Sequence, residues 1–464
     1  MNPALESNNK RPMPLALKFI IALAALLVLL ILAFAVWRGT LVSANHQRLK
    51  AIKAAGEPAN GRDLDAWYEP VDEKENAALV WLNGVSRLRP ARVKMQPAAW
   101  SRLKLPPRGQ RLDPPQLQEA SRLVEENQES LELFRRAASM PKSRYPVDSS
   151  QGHFASLDHL TPLKGGVQLL QLESLLHAQQ GRGREAAESV LVMLGAGRSL
   201  AQEPLLISQL IRVSMDQIAV HSAERALNLS VVAELQLAAL QAAFAAAETP
   251  DLSTRGLIGE RAITATLMNS PKQITPPPGD SEAAEAVLSM GKGVGSSFAR
   301  LTGFFQRDLG FFLDAMETNI AIAKMPDPQK FLARTNVDSL PLQARRGYYV
   351  MSSLLLPALS NAFKRDVEHR GRLRAAQVAM AVERYRLANQ GRLPASLSAL
   401  TPKYLPAVPI DPFDGEPLRF KLLPSGYVVY SIGPDGTDDD GTPPPPSGRT
   451  VNKAPHDITF TVEK

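Results

Sequence analysis

The residues best suited to chemistry in this sequence are four aspartates in one short loop near the C-terminus. Asp435, Asp438, Asp439 and Asp440 lie within the stretch from Gly433 to Gly441. Glycines allow a tight turn there, and such a turn can bring carboxylates together, where they repel one another unless a cation binds between them. Asp-Gly-rich turns are also common as plain solvated loops. The pattern therefore favours either a cation-binding loop or a solvated turn.

Other catalytic and metal-binding patterns do not occur in the sequence. None of the seven histidines forms the His-Glu-x-x-His pair of a metalloprotease. His153 and His159, with Asp158 between them, come nearest to a metal cluster, but their spacing indicates no third ligand. Ser149 and Ser150 lack the Gly-x-Ser-x-Gly context of a hydrolase nucleophile. We therefore expect that the protein is not an enzyme, with an unrecognised active site as the alternative.

Composition excludes further classes of function. The chain has 464 residues and no cysteine, which rules out disulfide scaffolds, thiolate metal sites and cysteine nucleophiles. Its formal net charge is +7, and basic and acidic residues are interspersed along most of the chain, so we expect no nucleic-acid binding. The stretch from Gly291 to Ser297 lacks the Gly-Lys-Ser/Thr ending of a phosphate loop, so no nucleotide site is expected there.

The strongest signal in the sequence is an apolar run from Phe19 to Trp37. It contains no charge, no proline and no glycine, and as a helix it reaches about 28 Å, close to the hydrocarbon thickness of a bilayer. Trp37 lies where an interfacial aromatic residue is expected, with Arg38 just beyond it. A cleaved signal peptide is the alternative, but its apolar core is usually shorter. The run therefore predicts an uncleaved transmembrane helix.

The orientation of this helix follows from its place in the chain. Basic residues flank both ends of the apolar run, so the positive-inside rule does not decide the orientation. A short N-terminus before a single anchor usually stays in the cytoplasm. We therefore predict a single-pass protein of the bacterial inner membrane, with residues 1–18 in the cytoplasm, a span at 19–37, and a main domain that is periplasmic or otherwise extracytoplasmic.

The chain beyond the anchor is predicted to be mainly α-helical. Residues 38–114 have the pattern of a stalk and a helical segment, and residues 115–365 have the amphipathic spacing of helical hairpins. The turn at Gly181-Arg182-Gly183 is too short for anything but an antiparallel pair of helices. No clean 34-residue period occurs, so we predict a solenoid-like or bundle-like domain and no particular repeat family.

Residues 366–464 are predicted to form a small C-terminal α+β module. A helix from Asp366 to Asn389 precedes segments that predict antiparallel strands at 418–422, 427–431 and 458–462. Three motifs lie at the ends of these elements or between them: Tyr385-Arg386-Leu387-Ala388-Asn389-Gln390-Gly391-Arg392-Leu393-Pro394, Ile410-Asp411-Pro412-Phe413-Asp414-Gly415, and the acidic loop.

In this order, the motifs resemble those of the globular domain of the major pseudopilin of type II secretion systems. The resemblance covers residues 375–464, and it implies the α+β fold of that domain. Two features depart from the family. The segment Leu17–Ile21 lacks the prepilin-peptidase motif, and the long helical region separates the span from the module. Segments at 56–58, 67–70 and 75–78 also resemble bacterial single-pass membrane proteins of the same layout, which implies no activity.

The resemblance also implies a cofactor, because the late loop of pseudopilins binds calcium. Calcium takes six to eight oxygen ligands, and the resemblance assigns this role to Asp435, Asp438, Asp439 and Asp440. We expect a membrane-anchored envelope or secretion-associated scaffold that acts through protein contacts, with the lipid bilayer and other envelope proteins as partners. A pseudopilin-type filament component is the alternative.

Overall fold

The first helix combines a long apolar stretch with part of the folded domain. The computed structural model describes residues 14–89, 105–248, 252–269, 303–443 and 456–463. Helix α1 runs without a break over Leu15–Ala54. Its apolar stretch has a mean hydropathy of 3.3 and is not buried by the rest of the molecule. The helix is thus long and apolar enough to cross a membrane once.

The second half of α1 packs against the domain. The buried Asn45 side chain donates a hydrogen bond to the carbonyl oxygen of Gln306 (2.7 Å). Arg48 forms a two-point ion pair with Asp314, with both N–O distances 2.8 Å. Ile52 packs against one of the hydrophobic clusters of the domain. The apolar stretch therefore continues into the domain as one unbroken helix.

In much of the helical domain, helices that follow one another in the chain pack against each other. Residues Ser149–Phe154 form a short 3₁₀ helix, and the α-helices of this part are α2 (Gly61–Trp67), α3 (Ala77–Ser86), α4 (Pro114–Glu125), α5 (Gln128–Ala138), α6 (Leu160–Gln179), α7 (Gly183–Ser199), α8 (Leu206–Leu229), α9 (Glu234–Ala247) and α10 (Leu252–Asn269). The predicted hairpin between α6 and α7 is confirmed, since Gly181 has the left-handed φ of 76° that ends α6 in a tight turn.

Four more helices follow in the described part of the chain: α11 (Phe304–Ala323), α12 (Gln329–Leu332), α13 (Arg334–Arg346) and α14 (Val350–Ala388). Helix α14 packs on α11 and α13 with its first half, and on α8, α9 and the sheet with its second half. It begins well before the predicted start at Asp366, because Met351, Leu356 and Leu359 are buried against α11 and α13. The predicted boundary between residues 365 and 366 lies inside this helix.

The C-terminal strands form one small antiparallel sheet. Its strands are β1 (Arg419–Leu423), β2 (Gly426–Ser431) and β3 (Ile458–Glu463), in the order β1-β2-β3. Lys421 lies opposite Val428, and Val428 lies opposite Thr461. The three predicted strands are therefore confirmed, each within about one residue at its ends. The stretch from Gly291 to Ser297, where no nucleotide site is expected, lies outside the described residues, as does most of the proline-rich segment at 442–456.

The sheet and the helices share a core. One cluster of buried side chains extends from Leu64 to Val462 and includes residues of α6, α7, α14 and all three strands or their flanks. The outer edge of β3 is covered by α8: Glu224 accepts the N–H of Thr461 (2.8 Å), and Asn228 accepts the N–H of Glu463 (2.8 Å). The sheet is thus packed into the helical body on one side, while β1 is its open edge.

Candidate functional site

The four predicted calcium ligands lie in the loop after β2, but two of them are paired with bases of β1. Asp438 accepts from Nε of Arg419 (3.1 Å), and Asp440 forms an ion pair with Lys421. Asp435 is exposed and accepts only the N–H of Thr437, two residues later (3.2 Å). Among the described residues, no three acidic or histidine side chains converge as metal ligands.

A fifth carboxylate, Asp457, faces the loop from the start of β3. Its side chain is fully buried and accepts the backbone N–H groups of Gly441 (2.8 Å) and Asp439 (3.4 Å). Burial, with repulsion from Asp438 and Asp439, raises the pKa of Asp457 to about 6. Sequence reasoning missed this residue because the proline-rich segment separates it from the loop.

The inner side of the loop carries carboxylates without an ion-pair partner in the described structure, whereas those of its outer side are paired with bases. Oδ2 of Asp439 is buried without a hydrogen-bond partner, and neither Asp439 nor Asp457 has an ion-pair partner in the described structure. Carboxylate oxygens without a cation are the donors that calcium takes. Asp438 and Asp440 would have to leave Arg419 and Lys421 to join them. Asp439 and Asp457 are therefore the two carboxylates of this region that no basic side chain neutralises in the described structure, and they supply only part of the six to eight oxygens that calcium takes.

Arg419 connects the loop to the aspartate-rich motif at 410–415. Its guanidinium donates to Asp411 (3.0 Å), Asp414 (2.5 Å) and Asp438. Asp411 is fully buried and also accepts the N–H of Ile432 (2.9 Å). The Asp411 carboxylate thus connects the motif to the residue that follows β2, and in the described structure it stabilises the start of the acidic loop.

The two histidines that came nearest to a metal cluster lie in separate contacts. His159 packs on the Tyr145 ring, with centroids 4.4 Å apart, and its Nε2 is 3.0 Å from the buried Glu203 carboxylate. Nε2 of His153 is 2.9 Å from Oγ1 of Thr264 on α10. Thr264 is fully buried, so this hydroxyl cannot reach a substrate. The histidines therefore stabilise helix contacts.

A cleft of about 1040 Å³ lies beside the second half of α1. Its lining includes Asn60, Asp63 and Asp148 together with four basic residues, which are His46, Lys50, Lys53 and Arg62. Lys53 is paired with Asp63 (2.8 Å). The lining holds hydrogen-bonding groups and charges of both signs, and the hydroxyl of Ser150 donates to the carboxylate of Asp148 (2.5 Å).

A network of buried charges fixes α14 in the middle of the domain. Asp366 of α14 lies 3.5 Å from Nζ of Lys330 and 3.6 Å from Nε of Arg370. Nearby, His369 lies 3.3 Å from the buried carboxylate of Asp216, and Arg374 donates to Asp327 (2.7 Å). Only the spacing of Asp366 and Arg370, one helical turn apart, could have signalled the network in the sequence.

Comparison of the chain with protein-family models, with curated proteins and with solved structures finds no match.

Proposed function

We propose that the chain is a single-pass protein of the bacterial inner membrane that acts as a rigid scaffold for other envelope proteins, with its domain outside the cytoplasm. The observation that carries this proposal is α1. Its apolar half is bare, and its second half is fixed to α11 through Asn45 and Arg48. A single helix thus holds the domain at a fixed height above the bilayer, which suits the presentation of a surface and is not needed by a tethered enzyme.

The surface for a partner is proposed at the far end of α14. Val231, in the turn between α8 and α9, and Leu235, in the first turn of α9, are 71% and 75% exposed. Glu234 forms an ion pair with Arg384 (2.7 Å), so this apolar pair lies beside the last turn of α14. Leu387, in that turn, is also exposed. Exposed apolar side chains grouped in this way mark protein contacts more often than isolated ones do.

Membrane orientation can be tested with single cysteines, because the chain has none of its own. We expect Leu235→Cys to react with a membrane-impermeant maleimide in cells whose outer membrane is permeabilised. Ser7→Cys should react only after the inner membrane is broken. The reverse order of labelling would place the domain in the cytoplasm and refute the proposed topology.

The scaffold role can be tested by photo-crosslinking of the full-length chain in native membranes. A photoreactive residue at Leu235 should give a discrete adduct, and the same residue at Glu188, an exposed position on α7, is the matched control. A flexible Gly-Ser linker inserted after Gly39 should abolish the adduct while the helical content stays unchanged. Folded protein that gives no adduct at Val231, Leu235 or Leu387 would contradict the role.

We also propose, from the resemblance to pseudopilins, that the C-terminal module adopts their fold and that its acidic loop binds calcium. The unpartnered oxygen of Asp439 and the buried Asp457 support it. Calcium at a hundred times its Kd should stabilise the full chain by about 2.7 kcal/mol, measured as a rise in Tm over a sample with chelator.

Asp438→Ala combined with Asp439→Ala should remove this rise. Glu125→Ala with Glu132→Ala, two exposed acids far from the loop, should leave it intact. No shift at millimolar calcium would limit the resemblance to the fold. Cleavage of the mature chain just before Phe19 would instead favour the filament alternative.

A further inference from the structure

The turn between α13 and α14 lies at the same end of the domain as the membrane span. Helix α11 begins beside the end of the span, since a Cβ atom built on Gly303 would lie 3.6 Å from the Trp37 ring. Further along α11, Asp308 accepts the N–H groups of Met351 (2.7 Å) and Ser352 (3.1 Å), in the first turn of α14. At 1.5 Å per residue, this contact lies about 8 Å beyond Gly303.

Two adjacent tyrosines of this turn have opposite environments. The Tyr349 ring stacks on Phe311, with centroids 4.3 Å apart, and the guanidinium of Arg307 lies 4.8 Å from its centre. A side chain at Gly347 would clash with this ring. Tyr348, in contrast, is 79% exposed and has a left-handed φ of 56°, which is uncommon for an aromatic residue. The fold thus keeps one tyrosine ring in solvent at the tip of the turn.

The turn is also basic and apolar. Arg345 and Arg346 are exposed, with no ion-pair partner in the part of the chain that the structure describes. No aspartate or glutamate occurs between Asp338 and Asp366 in the sequence. Leu342 and Leu354, one turn to either side, are 50% and 57% exposed. Arginine, tyrosine and leucine together form the composition that binds the interface of an anionic bilayer.

We propose that this turn, residues 342–354, is a second membrane contact that binds the headgroups of anionic phospholipids beside the span. The inference rests on the proposed membrane anchoring by α1. The headgroup layer on each side of a bilayer is about 5–7 Å thick, and Trp37 marks its inner boundary. The turn, whose cap lies about 8 Å beyond Gly303, therefore brings Tyr348 and the two arginines to the phosphate level. Two contacts fix the tilt of the domain, which one helix alone leaves free to vary.

The experiment measures the distance of the turn from the lipids in the full-length chain. Gln343→Cys, within the turn, is labelled with an environment-sensitive fluorophore, and the protein is placed in nanodiscs that contain phosphatidylglycerol and a headgroup-labelled quencher lipid. Trp37→Cys is the positive control, and Leu235→Cys is the negative control. We expect quenching at positions 37 and 343 and none at 235.

Charge recognition is tested by Arg345→Gln with Arg346→Gln. Loss of both arginines should disfavour the docked state about 30-fold, because each basic residue near an anionic surface contributes about 1 kcal/mol. Arg182→Gln with Arg184→Gln, on the α6–α7 turn, removes the same charge elsewhere and should change nothing.

The outcomes separate the two proposals. Absence of quenching at position 37 would refute the membrane span itself. Quenching at 37 with none at 343 would overturn the second contact and leave the span intact. Quenching at 343 that persists unchanged in phosphatidylcholine discs, or in the double arginine variant, would refute the binding of anionic lipid.

Discussion

Removal of the Asp308 carboxylate should loosen the start of α14 and with it the turn at residues 342–354. The carboxylate accepts the N–H groups of Met351 and Ser352 and the hydroxyl of Ser352 (2.5 Å). Asp308 is 1% exposed, so no water can replace it. Asp308→Ala leaves these donors buried and unsatisfied.

The expected loss of local stability follows from two favourable terms and one unfavourable term. Each hydrogen bond to a charged group contributes about 1.5–3 kcal/mol, and the negative charge at the N-terminus of α14 adds about 0.5 kcal/mol. Burial raises the pKa of Asp308 even though its hydrogen bonds lower it, so desolvation outweighs the favourable terms of the charged form, and the loss on Asp308→Ala comes mainly from the buried donors left unpaired. We expect a net local loss of about 3 kcal/mol, as for other broken buried partners.

Hydrogen exchange of the full chain measures this loss directly. Local opening that is easier by 3 kcal/mol should make amides of the segment 346–356 exchange about a hundredfold faster, while a peptide of α8 keeps its rate. Asp308→Asn retains one acceptor and should have a smaller effect. Asp314→Ala, on the same helix but paired with an exposed arginine, is the control. A change below about threefold for Asp308→Ala would refute this account of the cap.

Further variants test the core and the anchor. Phe134→Ala removes a buried ring stacked on Trp81, with centroids 5.2 Å apart, and should cost about 3–5 kcal/mol in denaturant unfolding; a cost below about 1 kcal/mol would contradict the packing. Glu203→Ala leaves His159 with no carboxylate in its buried contact and should cost about 3 kcal/mol, and an unchanged midpoint would refute this pairing. Arg48→Ala breaks a largely exposed ion pair and should cost below about 1 kcal/mol, so a larger loss would show that anchor docking depends on it.

Features set by neighbouring residues could be predicted from the sequence. The apolar run, the glycine turn between α6 and α7, and the three strands each depend on local periodicity or turn chemistry. Tertiary contacts decided the rest. Residues 350–365 form the start of α14 because they pack on α11 and α13. The sequence predicts a helix that begins after Pro341, but it does not show that this helix continues without a break into the helix predicted from Asp366.

The candidate calcium loop shows the same limit. The sequence indicates four aspartates, but it cannot show that Arg419 and Lys421 of β1 are paired with two of them. It also cannot show that Asp457, beyond a long proline-rich segment, faces Asp439. Which carboxylates converge depends on strand register, and the register is fixed only when β2 pairs with both neighbours.

Helix α14 links the two ends of the domain, and buried polar contacts fix it at three points along its length. Asp308 holds its first turn, Asp366 is held in the middle by Lys330, and Glu383 accepts the Tyr427 hydroxyl of β2 (3.1 Å) near its end. Each contact is specific in position, because a shift of the helix by one residue would leave a buried polar group unpaired. Because α14 is fixed in this way, it holds the sheet and the turn at residues 342–354 at a constant distance from each other. The proposed scaffold surface and the proposed lipid contact therefore keep a constant separation, which is the property that a scaffold requires of its framework.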